Sequence, residues 1–292
     1  MNDSFIQNVS DTAFMAAAYR AAESERPDAL FRDPLAARLA GERGKKIIAN
    51  LPKGAFIGGW SVVIRTRVID EQIQAALADG VDTIMNLGAG LDTRPYRMEL
   101  PASLRWIEVD QPQVVILKEQ SLGHEKPRCR LERIKLDLSD ADGRRSVLPQ
   151  AIANSGKVLV LTEAVIPYLT EAAVASLAAD LRLHAAIRYW LVDYFSPAAY
   201  QYRRRTKMDR AMQNAPFQFE PKDYFGFFAG LGWQPREIRY LAEEAVGLNR
   251  PPAFPITVKL LMSVMGLFMS RERRAAMKKH TGYVLFEPSG RG

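Results

Sequence analysis

A single cysteine, Cys129, in 292 residues leaves no disulfide framework and no cysteine-based zinc site, so the fold must stand on its apolar core and needs no oxidising compartment. Histidine is nearly as scarce. His124, His184 and His280 are scattered with no HExxH spacing, and no metal centre is expected. Long apolar runs are missing too: the most apolar stretch, Leu260 to Met269, is broken by Ser263 and Gly266 and has about half the length of a bilayer span. The start, MNDSFIQNVSDTAF, has neither the basic onset nor the apolar stretch of a secretory leader, so a cytoplasmic protein without a transmembrane segment is the expectation. No GxSxG elbow, Walker loop or kinase signature occurs, which removes the hydrolase and phosphotransfer readings.

What is present is an ordinary globular composition, 48% hydrophobic and 25% charged, able to bury a full core. The net charge of +7 comes partly from two clusters, Arg203, Arg204, Arg205, Lys207 and Arg210, and Arg271, Arg273, Arg274, Lys278 and Lys279. Each reads first as a solvated helix face and second as a patch for an acidic ligand. Neither forms the long basic tract of a nucleic-acid binder, and none is expected as a partner.

The alanine-rich stretch Thr12 to Glu23, with Ser10 or Asp11 placed to cap it, predicts a helix. A short second helix is expected from Asp33-Pro34 to near Gly41, and a third from Ser61 to Ala78. From Val81 onward the rhythm changes to short apolar strands separated by helix-length segments, the pattern of a doubly wound, mostly parallel sheet with helices on both faces. The strands read as Thr83 to Leu87, Arg105 to Val109, Leu131 to Leu136, Val158 to Leu161 and Tyr189 to Asp193, then Gln234 to Leu241 and Tyr283 to Phe286. The expected organisation is a helical cap over residues 1–60, a Rossmann-like domain over 61–248 and 281–292, and a lid insertion over 249–280. In that insertion Met262, Met265 and Met269 are suited to packing over an acceptor of variable shape.

Chemistry enters at Thr83 to Arg94, TIMNLGAGLDTR, a strand running into a glycine turn. Without side chains at Gly88 and Gly90 the backbone turns sharply and a nucleoside can approach it closely. A dinucleotide turn reads GxGxxG, but Thr93 holds the third glycine position, which weakens a nicotinamide reading. Asp110 ends the second strand 20 residues after Gly90, where a carboxylate accepts from both ribose hydroxyls of either NAD or S-adenosylmethionine. Leu136-Asp137-Leu138 closes the third strand, offering a carboxylate to an adenine amino group and an amide to a ring nitrogen, although Asp137 also suits a helix cap. Glu163 follows the fourth strand. A buried carboxylate there needs a partner, and the ammonium of an amino acid would serve.

These segments resemble the leucine carboxyl methyltransferase-like group of class I methyltransferases, in its bacterial branch with polyketide O-methyltransferases. The resemblance runs from Ser10 to Phe195, through SDTAFMAAAYRA, RPDALFRDPLAARLAG, RTRVIDEQI, NLGAGLDTRPYRM, IEVDQPQVVILK, LDLSD and LTEAVIPYLT, and is weaker beyond. It implies S-adenosyl-L-methionine as cofactor, with Arg65, or its neighbour Arg67, on the cofactor carboxylate. It likewise implies Gly88 and Gly90 at the turn, Asp110 on ribose, Asp137 and Leu138 on adenine, Glu163 near the amino-acid end, and the stretch around Ala17, Tyr19 and Arg20 closing the pocket. Tyr19, Tyr168 and Tyr194 are the candidate acceptor contacts, and no catalytic side chain is assigned. The expected reaction is O-methylation of a small acidic or aromatic metabolite, as in secondary metabolism. A protein C-terminal carboxylate as acceptor, or a silent nucleotide-binding protein, are the alternatives, and the oligomeric state is open.

Overall fold

Strands covered on both faces need apolar side chains at odd and even positions alike, and the apolar runs of this sequence meet that demand. The computed structural model describes residues 10–51, 56–205, 214–252, 256 and 270–290. Its strands are β1 Thr83–Leu87, β2 Arg105–Asp110, β3 Arg130–Lys135, β4 Val158–Thr162, β5 Ile187–Phe195, β6 Trp233–Tyr240 and β7 Thr281–Pro288. All seven expected strands are therefore present, and β1 and β4 are buried at every position.

They form one sheet in the order β3-β2-β1-β4-β5-β7-β6. The first five are parallel, while β7 runs antiparallel to both β5 and β6. The architecture is Rossmann-like α/β. Strand order reverses between β1 and β4, and at such a switch point the loops leave the carboxyl ends in opposite directions and open a crevice.

Alternation sorts the side chains between two layers. Met85, Leu87, Val158 and Val160 point to the face covered by α6 Ala141–Ala151, α7 Glu171–Arg182 and α9 Tyr224–Gly230. Ile84, Leu159 and Leu161 point to the face covered by α3 Phe56–Ala78 and α10 Leu241–Gly247. Burial of these side chains, roughly 1.5–3 kcal/mol each, supplies the main drive for the fold.

Ahead of the sheet, α1 Ser10–Ser24 packs on α2 Ala36–Ala49, and Ala17, Leu39, Leu91 and Leu122 join in a third apolar cluster. Asp11, in the first turn of α1, is buried and ion-paired with Arg43 of α2. The second helix departs from expectation. Gly41 does interrupt it, with φ 52° and ψ −160°, but the chain resumes helix at once and runs to Ala49. The reason is Ile47, which is buried and draws a further turn onto the protein.

The glycine turn after β1 is followed only by a single helical turn, α4 Arg94–Arg97. Next in chain order come α5 Pro112–Leu122 after β2 and α8 Pro197–Arg205 after β5. Half of the expected lid, residues 253–255 and 257–269, lies outside the described residues, Met262, Met265 and Met269 included, as do Lys207 and Arg210 of the first basic cluster. Its far end is α11 Arg271–Lys278, exposed throughout and capped by Ser270, whose hydroxyl accepts from the Arg273 amide. Among the described residues no helix is long and apolar enough to cross a membrane.

Candidate active site

The carboxyl ends of β1 to β4 surround a cavity of about 340 Å³ whose other wall is α1. Gly88 and Gly90 form its floor with φ of 70° and 48°, a conformation that side chains oppose. A Cβ on Gly88 would overlap Val165, and one on Gly90 would stand 3.3 Å from the Ala13 methyl. The turn is tied to β2: the Gly88 amide donates to the Val109 carbonyl at 2.7 Å and the Gly90 amide to Asp110 Oδ2 at 2.6 Å. Asp110 Oδ1 accepts from the Gln111 amide at 2.7 Å. Burial raises the Asp110 carboxyl above its ordinary range, against the pull of the Gly90 and Gln111 amides.

Asp137 and Leu138 form the rim beyond Asp110. Asp137 does not cap α6, which is capped by Asp140 through the Gly143 amide. It accepts from the Ser139 amide and hydroxyl at 2.9 and 2.8 Å and from Gln111 Nε2 at 3.2 Å, and the Ser139 bonds hold its carboxyl below the usual range.

Across the cavity lies a dense ionic network. Glu163 Oε1 accepts from Arg65 Nε at 2.9 Å and its Oε2 from Arg94 Nη1 at 2.8 Å. Arg94, 2% exposed, also donates to Asp92 at 3.0 Å and to Asp70 at 2.7 Å. Burial opposes ionisation of both carboxyls, yet Arg94 and Lys118 draw Asp92 down to about 2, and Arg94 and Arg65 hold Glu163 below its ordinary value. Asn86, also cavity-lining, donates from Nδ2 to Asp92 at 2.8 Å. Its buried Oδ1 has no hydrogen-bond partner among the described residues.

The two arginines left open by sequence are separated by geometry. Arg65 lines the cavity, whereas Arg67 donates to Glu71 at 2.6 Å and is absent from the lining. Tyr168 also lines it, hydrogen-bonded to the Thr12 side chain of α1, its phenol raised by burial against the pull of Arg203 and Arg65. Tyr168 meets Phe217 edge-on at 5.2 Å, and Phe217 in turn contacts Phe195 at 5.2 Å and lies under the Arg203 guanidinium at 3.5 Å. Tyr19 and Tyr194 lie outside the lining. Tyr19 is lodged against Gly59 of α3, and Tyr194 packs on Tyr224 at 5.0 Å and Phe225 at 5.5 Å. From α1, Arg20 reaches the cavity wall, donating to the Leu91 carbonyl at 2.6 Å and to Asp33 at 2.8 Å.

Asn86, Asp92, Arg94 and Gln111 were not anticipated. A signal existed in β1, where the amide Asn86 stands between the apolar Met85 and Leu87 near the strand's carboxyl end. Among the described residues no three His, Cys, Asp or Glu side chains converge as metal ligands.

The donor set suits a nucleoside bearing an amino acid. The side-chain-free glycine turn and Asp110 fit a ribose, Arg65 fits a carboxylate, and Glu163 with the unpartnered Asn86 Oδ1 fits an ammonium. It does not suit a dinucleotide. Thr93 donates its hydroxyl to Asp33 at 2.7 Å, and the four-residue α4 with Pro95 supplies no long helix N-terminus for a pyrophosphate.

Comparison with known proteins agrees. The family model described as leucine carboxyl methyltransferase matches residues 13–182. A Streptomyces coelicolor protein named for a proposed S-adenosyl-L-methionine-dependent methyltransferase activity is 31% identical over 257 residues, covering 82% of this chain and 88% of its own. A similarly named Streptomyces avermitilis protein is 32% identical over 260 residues, covering 84% and 89%. Among solved structures, a candidate methyltransferase from Thermobifida fusca shares the fold, with a TM-score of 0.55 over 94% of each chain at 13% identity.

Proposed function

The chain belongs to the leucine carboxyl methyltransferase family, a family of S-adenosylmethionine-dependent enzymes, and on that premise we propose that it methylates an oxygen of a small acidic or aromatic acceptor. The observation that carries this reading is the joining of the cavity, through Tyr168, to an aromatic ledge of Phe217 and Phe195 under the Arg203 guanidinium. A flat ring stacks on such a ledge, and a carboxylate or phenolate pairs with the cation.

When bound, the cofactor supplies a methyl group already activated on a sulfonium, so the protein's task is placement, dryness and charge. Asp110 receives the ribose hydroxyls, the Gly88–Gly90 backbone allows close approach, and Asp137 with the Leu138 amide takes the adenine edge. Arg65 holds the carboxylate, while Glu163 and Asn86 Oδ1 accept from the ammonium. The helix α1, fastened to the opposite wall by Thr12 on Tyr168 and by Arg20 on the Leu91 carbonyl, excludes water. A carboxylate acceptor is ionised at neutral pH and needs no general base, which fits a cavity whose Glu163 is already engaged by Arg65 and Arg94.

The test is transfer of labelled methyl from the cofactor into a library of aromatic carboxylic acids and phenols, run beside peptides ending in a free carboxylate. Label in the small-molecule fraction is the expected result. Label confined to peptides or protein would move the acceptor to a protein C-terminus, and cofactor binding with no transfer to any acceptor would favour a silent binding protein.

A further inference from the structure

We propose that Asp193 is a positioning residue for the cofactor site: its carboxylate holds Ala164 in the left-handed backbone conformation that sets Glu163 and Val165 on the cavity wall. The proposal rests on the reading of this cavity as the S-adenosylmethionine site.

Ala164 has φ 55°, and the other positive-φ residue besides glycines, among the described residues, is Asn249. Asparagine eases that conformation with its own side chain; alanine does not. A strained residue of this kind persists only where its surroundings over-determine it. Here the Ala164 amide donates to Asp193 Oδ2 at 2.9 Å and Oδ1 at 3.1 Å. Asp193 is itself clamped. It is the register partner of Tyr283 across β5 and β7, accepts that tyrosine's hydroxyl at 2.6 Å, and offers its carbonyl to the Tyr224 hydroxyl at 2.6 Å.

The consequences lie on both sides of Ala164. Glu163 is turned to meet Arg65 and Arg94, and Val165 is laid into the space that the missing Gly88 side chain leaves. The next residues form the turn Ile166–Tyr168 that brings Tyr168 to the cavity. Asp193 is 5% exposed and absent from the cavity lining, so it acts on the site only through these neighbours. Burial pushes its carboxyl up to about 6 although the Tyr283 hydroxyl and Arg65 favour the anion. A carboxylate kept at such a cost is expected to have a task.

A second role, a bare counter-charge to Arg65, makes a different prediction. In Asp193→Asn the amide oxygen still accepts from Ala164 and the amide nitrogen donates to the Tyr283 oxygen, so the turn is kept while the charge is lost. Calorimetric affinity for S-adenosylhomocysteine is measured on wild type, D193N, D193A, A164G and D193A/A164G, with thermal melts in parallel. D193N should bind within about threefold of wild type, because the hydrogen bond to the turn survives. D193A should bind about tenfold more weakly or worse, the alanine no longer being held against its left-handed penalty. A164G should restore most of the loss in the D193A background, since glycine takes this φ without a Cβ penalty. D193N as weak as D193A, a double variant no better than D193A, or D193A equal to wild type would each overturn the proposal. Should D193A not fold, Ala164→Val replaces it: a β-branched side chain opposes the same turn with the carboxylate intact, and unchanged affinity in the folded variant contradicts the proposal. If wild type binds no S-adenosylhomocysteine, the cofactor reading fails instead. The turn is then still tested by whether A164G recovers the melting temperature lost in D193A.

Discussion

Asp110→Ala is expected to weaken S-adenosylmethionine binding by on the order of 2 to 4 kcal/mol, about 30-fold to 1000-fold, because two charge-assisted hydrogen bonds to the ribose are lost together. The same carboxylate receives the Gly90 and Gln111 amides at 2.6 and 2.7 Å, so the variant also loosens the turn under the ligand. The fold should survive, since Asp110 ends β2 and β1 pairs with β2 as far as Val109. Isothermal calorimetry with a parallel melt reads both quantities. Acidification should mimic the substitution in part: burial raises this carboxyl, so it begins to take up a proton at higher pH than an exposed aspartate and affinity falls as pH drops through that range. Wild-type affinity in a folded D110A protein would remove the ribose role.

Glu163→Ala is expected to have the largest effect on stability, a loss of about 3 kcal/mol, because it leaves Arg65 without its carboxylate partner and Arg94 with Asp70 and Asp92 alone in a mostly buried setting. The sign of its pH dependence follows from the direction of the shift. Arg94 and Arg65 hold Glu163 below its ordinary value despite burial, so its contribution is present above the unfolded carboxyl range and is lost as pH falls through the lower, folded value. Chemical denaturation should therefore show a deficit for E163A at neutral pH that narrows toward pH 3 and below. A deficit that stayed constant with pH would show that packing, not charge pairing, is what Glu163 contributes.

The sheet was legible in the sequence because its apolar segments are short, regularly spaced and bounded by polar turns, which leaves few alternatives to parallel strands. The glycine turn and Asp110 were legible for a related reason: their relation is fixed by adjacency of β1 and β2, and the Gly90 amide meets Asp110 as that adjacency requires. Arg94 was not legible as the centre of a network. Asp92 is a local partner two residues away, but Asp70 and Glu163 come from α3 and the end of β4 and meet Arg94 only in the fold. Which of Arg65 and Arg67 lines the cavity depends on helix phase, which shows only once the helix is docked. Tyr19 and Tyr194 were picked from their places in the chain, but Tyr19 turns toward α3 and Tyr194 into an aromatic cluster with Tyr224, Phe225 and Tyr240. The left-handed turn at Ala164 was beyond sequence reasoning altogether, because alanine gives no hint of positive φ and the group that holds it lies 29 residues away.

The most direct measurement is calorimetric titration of the purified protein with S-adenosylmethionine, S-adenosylhomocysteine and NAD under one set of conditions. The cavity sets Asp110 beside the glycine turn and Arg65 paired with Glu163 across from it, and the glycine turn leads into a single helical turn in place of the long helix of a dinucleotide fold. Both methyl-cycle ligands should therefore bind at one site per chain with NAD showing no appreciable heat. NAD binding more tightly than either would contradict the assignment of this cavity to S-adenosylmethionine.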